Sequence, residues 1–132
     1  MATWMLSAQG DKEQIKDRIK AKRIAFITDK LNLSSQEAQV FWPLYNGFKE
    51  QERALKKDAR PNKKIAEMTD QEVEQLLEDR LDKEEELIAT KREFLTEAKQ
   101  VLPIKKLARL PHVERKFKEM MLQHSRERRK NK

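Results

Sequence analysis

The run Leu31-Asn32-Leu33-Ser34-Ser35-Gln36-Glu37-Ala38-Gln39-Val40-Phe41-Trp42-Pro43-Leu44-Tyr45 decides how this chain folds, because it joins a helix start to a cluster of aromatic side chains. Ser34 followed three residues later by Glu37 is a capping box: the hydroxyl accepts from the N–H of Glu37 while the carboxylate accepts from the N–H of Ser34. Met68-Thr69-Asp70-Gln71-Glu72 repeats the device, with an apolar residue, then a hydroxyl, then an acid three positions on. Two helix starts are thereby placed, one after Leu33 and one after Met68.

Working outward, the spacing of Ile15, Ile19, Ile24, Phe26, Ile27 and Leu31 predicts a first helix from Asp11 to Leu31, with Asn32-Leu33 as a short link. The second should run from Ser35 to about Ala59, carrying Phe41, Leu44, Tyr45, Phe48 and Leu55 at three- and four-residue steps, with Pro43 loosening it locally. Arg60-Pro61-Asn62 ends it, and Lys63 to Met68 reads as a basic linker with room for one helical turn. A third helix from Asp70 to about Val101 shows doublets at Leu76/Leu77, Leu87/Ile88, Phe94/Leu95 and Val101/Leu102, a seam of 3.5-residue period interrupted by Arg80, Glu84 and Lys91. Pro103 and Pro111 each suit a first helical turn. Two C-terminal helices are therefore expected, Pro103 to Leu110 and Pro111 to about Glu127, the latter burying Val113, Phe117, Met120 and Met121.

The expected fold is all-α: a long antiparallel helical hairpin with additional N- and C-terminal helices. Residues 11–125 form one helical domain, residues 1–10 a disordered N-terminus or signal-peptide remnant, and residues 126–132 a basic disordered tail. Composition agrees, since 40% of the 132 residues are charged, and Gly and Pro number only two and four. Eight aromatic residues and the apolar doublets argue against disorder.

Charge is uneven. Residues 68–100 hold 5 basic and 11 acidic side chains, residues 101–132 hold 11 and 3, and the whole chain carries +7. An acidic helix beside basic ones favours pairing within or between subunits. The basic residues form no recognition motif and the aromatics sit at core spacing, so nucleic acid is not the expected partner. No apolar run is long enough to span a membrane.

No active site is expected: catalytic, cofactor and metal residues are none. There is no cysteine. His112 and His124, twelve residues apart, fall about 120° out of phase on a helix, without an HExxH pattern. Glu84-Glu85-Glu86 reads as a solvated charge run, and Gly10 and Gly47 make no phosphate loop.

The string Arg23-Ile24-Ala25-Phe26-Ile27-Thr28-Asp29-Lys30-Leu31-Asn32-Leu33-Ser34-Ser35-Gln36-Glu37-Ala38-Gln39, followed by Phe41-Trp42-Pro43-Leu44-Tyr45-Asn46, resembles the Spy/CpxP-related helical proteins of Gram-negative envelopes, in the branch labelled "sensor of ECF-type sigma factor". That family's hallmark is a Leu-Thr-x-x-Gln repeat, which Leu33-Ser34-x-x-Glu37 and Met68-Thr69-x-x-Glu72 match with substitutions that keep the capping physics. The resemblance covers about residues 15–122, loosely beyond the first block, and includes Leu102-Pro103-Ile104-Lys105-Lys106. It implies a cradle-like homodimer in the periplasm that holds unfolded proteins without ATP or reports envelope stress; a cytoplasmic location is the alternative. Its motif residues carry over as helix caps, and no partner-binding residue transfers. The expected mechanism is a concave face of apolar, Lys and Arg side chains that captures unfolded, often acidic segments. A scaffold docking one folded partner, such as an anti-sigma component, is the alternative, and a basic nucleic-acid binder ranks third.

Overall fold

The computed structural model describes residues 3–57 and 61–131, with side chains from residue 10 onward. It is all-α: α1 (Thr3–Lys30), α2 (Ser35–Lys57), a 3₁₀ turn at Ile65–Glu67, α3 (Asp70–Ala98) and α4 (Ile104–Lys130), with no strand among the described residues. The chain divides into two compact units, Met1–Ala38 with Ile104–Lys132, and Gln39–Pro103.

Both predicted caps form. Ser34 N–H donates to Glu37 Oε1 at 2.9 Å and Glu37 N–H donates to Ser34 Oγ at 3.1 Å. Thr69 and Glu72 make the same reciprocal pair at the head of α3. The link before Ser34 is equally determined by local chemistry. Asn32 takes a positive φ of 53°, the Leu33 N–H reaches back to the Thr28 carbonyl at 3.0 Å and the Asn32 N–H to the Asp29 carbonyl at 3.1 Å. This is the Schellman closure, whose left-handed position asparagine tolerates better than most residues with a side chain. α1 therefore stops and α2 starts within four residues.

The first unit is built on α1 and α4, which run antiparallel and pack together. Its core is Ile27, Leu31, Leu107, Leu110, Val113 and Phe117, with Phe26 tilted against Phe117 at 5.6 Å and Arg23 over the same ring. Cations of α4 reach the end of α1: Arg109 donates to the Lys30 carbonyl at 3.0 Å and Lys106 to the Asn32 carbonyl at 2.8 Å. They satisfy acceptors that a helix end leaves without intrahelical partners, at the negative pole of its dipole.

Several expected boundaries move. α1 begins at Thr3 rather than Asp11, so residues 3–10, expected as a disordered N-terminus or a signal-peptide remnant, are helical; they contain no proline and several strong helix formers. The two expected C-terminal helices are one, α4, with Pro111 in its interior. Proline forfeits a single backbone bond there, and the apolar face of Leu107, Leu110, Val113 and Phe117 continues through it unbroken. Burying that face outweighs the interruption. α4 also runs to Lys130, through most of the stretch 126–132 that was expected to be disordered.

In the second unit the helices are joined by rings. Phe94 of α3 stacks on Phe48 of α2 at 4.6 Å and lies 6.2 and 6.4 Å from Phe41 and Tyr45. Trp42 meets Phe41 and Tyr45 edge-on at 5.1 and 5.2 Å. Further along, the Lys83 ammonium donates to the Leu55 carbonyl at 3.4 Å. Ring pairs of this kind, offset-stacked or edge-on at about 4.5–7 Å, add about 0.5–1.5 kcal/mol each beyond the area they bury.

Candidate protein-binding surfaces

The six residues singled out by the motif are placed as helix caps. Ser34, Glu37, Thr69 and Glu72 make the two boxes, while Leu33 and Met68 are half-buried just before them. Each box carries an additional lysine that the motif did not announce: Lys106 lies 2.8 Å from Glu37 and Lys63 lies 3.2 Å from Glu72. The Lys106 hydrogen bond first, then the Ser34 N–H, holds the Glu37 carboxyl below the usual glutamate range; Lys63 and the Thr69 N–H do the same for Glu72. These carboxylates are consumed by structure. They accept every bond the geometry offers and present no reactive group.

Single exposed apolar side chains occur elsewhere, at Ile15, Val40, Ile65, Ile104 and Leu122, but on α3 four of them fall in line. Leu77, Leu81, Ile88 and Leu95 are each between 43 and 53% exposed. At about 100° per residue they fall within roughly 40° of one another, a stripe about 27 Å long at 1.5 Å per residue. In the first three doublets the other member is turned inward, with Leu76, Leu87 and Phe94 half-buried; Ala98 and, in the last doublet, Leu102 are buried. The seam is thus two adjacent lines, one packed within the unit and one uncovered.

The opposite flank of α3, roughly 160° round the helix from the stripe, forms a furrow with α2. A pocket of about 190 Å³ is lined by Pro43, Leu44, Gly47, Phe48, Phe94 and the polar groups of Gln51, Thr90, Glu93 and Glu97. A shallower hollow of about 480 Å³ adjoins it through the shared Gln51, Thr90 and Glu93, and adds Ala54, Leu55, Glu86 and Ala89. Small residues at 47, 54 and 89 keep the floor low. At Gly47 an added Cβ meets nothing within 4 Å, so the space above it is free.

The furrow departs from the expected concave face of lysine and arginine. Its charged side chains are Glu86, Glu93 and Glu97, and among the described residues no lysine or arginine lines it. In the sequence Glu86 stands out only as one of three consecutive acids, apart from Glu93 and Glu97. Yet residues at i, i+7 and i+11 share one helix face, so the alignment was present in the spacing. The residues from α2 that complete the furrow had no such signal, because which face of α2 meets α3 is a tertiary fact.

His112 and His124 are both exposed on α4, with His124 4.0 Å from Glu127. Among the described residues, no cluster of three or more His, Cys, Asp or Glu is arranged to hold a metal ion, and no helix is long and apolar enough to cross a membrane. No family model, curated protein or solved structure matches the chain. The structure therefore defines an all-α protein with an uncovered apolar stripe and an acidic furrow on one long helix.

Proposed function

We propose that this chain is a non-enzymatic protein-binding module of the bacterial envelope, an ATP-independent holdase-type chaperone or stress sensor of the Spy/CpxP kind. The observation that carries the reading is the α3 stripe of Leu77, Leu81, Ile88 and Leu95, four large apolar side chains in line and half-exposed. A row of this kind is more than the scattered exposed residues of an ordinary surface and marks a face used for association. The capping boxes and the resemblance of residues 15–122 are what favours this family and a periplasmic setting within the proposal.

The hairpin of that reading dimerises along the stripe. Two copies of α3 laid antiparallel about a two-fold axis near Glu86 oppose Leu77 to Leu95, and set Lys91 of each copy within one layer of Glu84 of the other. The polar interruptions of the seam then become its register. A homodimer sedimenting at high micromolar concentration is expected, and a strict monomer there removes the cradle arrangement.

The functional test is aggregation. Purified protein, without nucleotide or metal, should slow the aggregation of several unrelated denatured proteins at near-stoichiometric ratio. Indifference to all of them together with tight binding of one folded protein supports the docking scaffold instead. The excess of cations in residues 1–38 and 104–132, 18 basic against 8 acidic, makes duplex DNA the remaining control. Retention of DNA at physiological salt with a steep salt slope replaces the protein-binding reading with the nucleic-acid one.

A further inference from the structure

We infer that the α2–α3 furrow is a docking site for basic, apolar polypeptide segments, a selectivity opposite to the one that the chain's net charge suggests. The inference rests on the protein-binding reading above and names the partner class of that surface.

The floor is apolar: Leu44, Phe48 and Phe94 in the deeper part, Leu55 with Ala54 and Ala89 in the shallower. One wall carries Glu86, Glu93 and Glu97. Along a helix these carboxylates recur at about 10 Å and then about 6 Å, at 1.5 Å per residue. None of the three forms an ion pair among the described residues. Glu52, on the other helix, differs in this respect, since Lys49 and Lys56 already engage it. The furrow thus offers an apolar bed and a row of uncommitted anions.

An occupant that uses both is a segment with aliphatic or aromatic residues on one side and Lys or Arg along the edge. The long cationic side chains lay their methylenes on the floor and carry their charges to the rim. An acidic segment meets like charge at three points. A second copy of the chain is the weaker occupant, because its self-complementary surface is the stripe on the other side of α3, where Lys91 and Glu84 lie in one line. Selectivity for a cation by a protein of charge +7 cannot come from the long-range field, which repels it. It has to come from the furrow, and this makes the idea sharp to test.

The experiment uses the full chain and two fluorescent 14-residue amphipathic peptides of one pattern, Leu with Lys and Leu with Glu, titrated by anisotropy at physiological salt. The Leu/Lys peptide is expected to bind at least tenfold more tightly. The variant carrying Glu86→Gln, Glu93→Gln and Glu97→Gln should lose that preference. Gly47→Leu, which projects into the free space over the floor, should weaken Leu/Lys binding at least fivefold. All four substitutions fall on exposed positions, and a thermal midpoint no lower than that of the unsubstituted protein confirms that the fold is retained.

Preference for the Leu/Glu peptide, or Leu/Lys binding untouched by the triple variant, overturns the inference. So does a triple variant that shifts the sedimenting species, since the furrow would then be an interface between copies. Aggregation suppression without any furrow-dependent Leu/Lys binding overturns it and leaves the holdase reading standing. Furrow-dependent Leu/Lys binding without suppression upholds it and removes the holdase reading.

Discussion

The two units solve the problem of stabilising thin helix pairs in different ways. In residues 1–38 and 104–132 the helices are stapled by aliphatic packing and by α4 cations that cap the end of α1. In residues 39–103 they are held by a ring cluster centred on Phe94, with a furrow on one flank and an uncovered stripe on the other. The first carries 18 basic and 8 acidic side chains, the second 12 and 15. The lesson is that a contact made of a few large rings concentrates stability in those side chains, whereas the first unit spreads it over aliphatic packing, one ring pair and the cations that cap α1.

The largest expected effect tests that concentration. Phe41→Ala removes a fully buried ring that touches Trp42, Tyr45 and Phe94, and should cost about 3–5 kcal/mol in denaturant unfolding. Phe26→Ala in the first unit removes a half-buried ring facing Phe117 and should cost clearly less. Equal losses would mean that the rings are no more important to one unit than to the other.

Next come the caps, which occur once in each unit and so provide a like-for-like comparison. Ser34→Ala and Thr69→Ala should each lower stability by about 0.5–2 kcal/mol, read from thermal or urea midpoints. A null result for both would mean that the boxes do not hold the helix starts.

Gly47→Ala should raise stability by about 0.5–1 kcal/mol, because the residue lies inside α2, its added methyl meets nothing, and alanine loses less backbone entropy in a helix. A loss of stability instead would show that the furrow floor at Gly47 is tighter than the open space above it indicates.

The smallest effect is acid dependence. Glu37 and Glu72 have folded pKa values lowered from the ordinary 4.5, so the ionised forms favour the fold. Their stabilisation is present above that value and is lost as pH falls through the lower folded one. Lys106→Gln should flatten this acid limb more than Lys63→Gln, since Lys106 is the more enclosed and also holds the Asn32 carbonyl. The reverse order in acid-unfolding midpoints would contradict the stapled picture of the first unit.

Much of the fold was legible in the chain because its signals are local. Ser34 with Glu37 and Thr69 with Glu72 satisfy backbone groups within their own first turns, so the starts of α2 and α3 follow from four side chains, whatever packs around them. The furrow was legible only in part: the phase of Glu86, Glu93 and Glu97 is in the spacing, but Gly47, Gln51 and Leu55 join them only through the ring contacts. Pro111 marks the limit of local reading, since its intrinsic preference favours a new helix and the continuous buried face of α4 overrides it. The same holds for the α3 doublets. Their spacing suffices to give a seam of 3.5-residue period, but that Leu76, Leu87 and Phe94 turn inward while Leu77, Ile88 and Leu95 stay exposed follows from packing, because which line is covered depends on where a second helix lies, and periodicity carries no information about that.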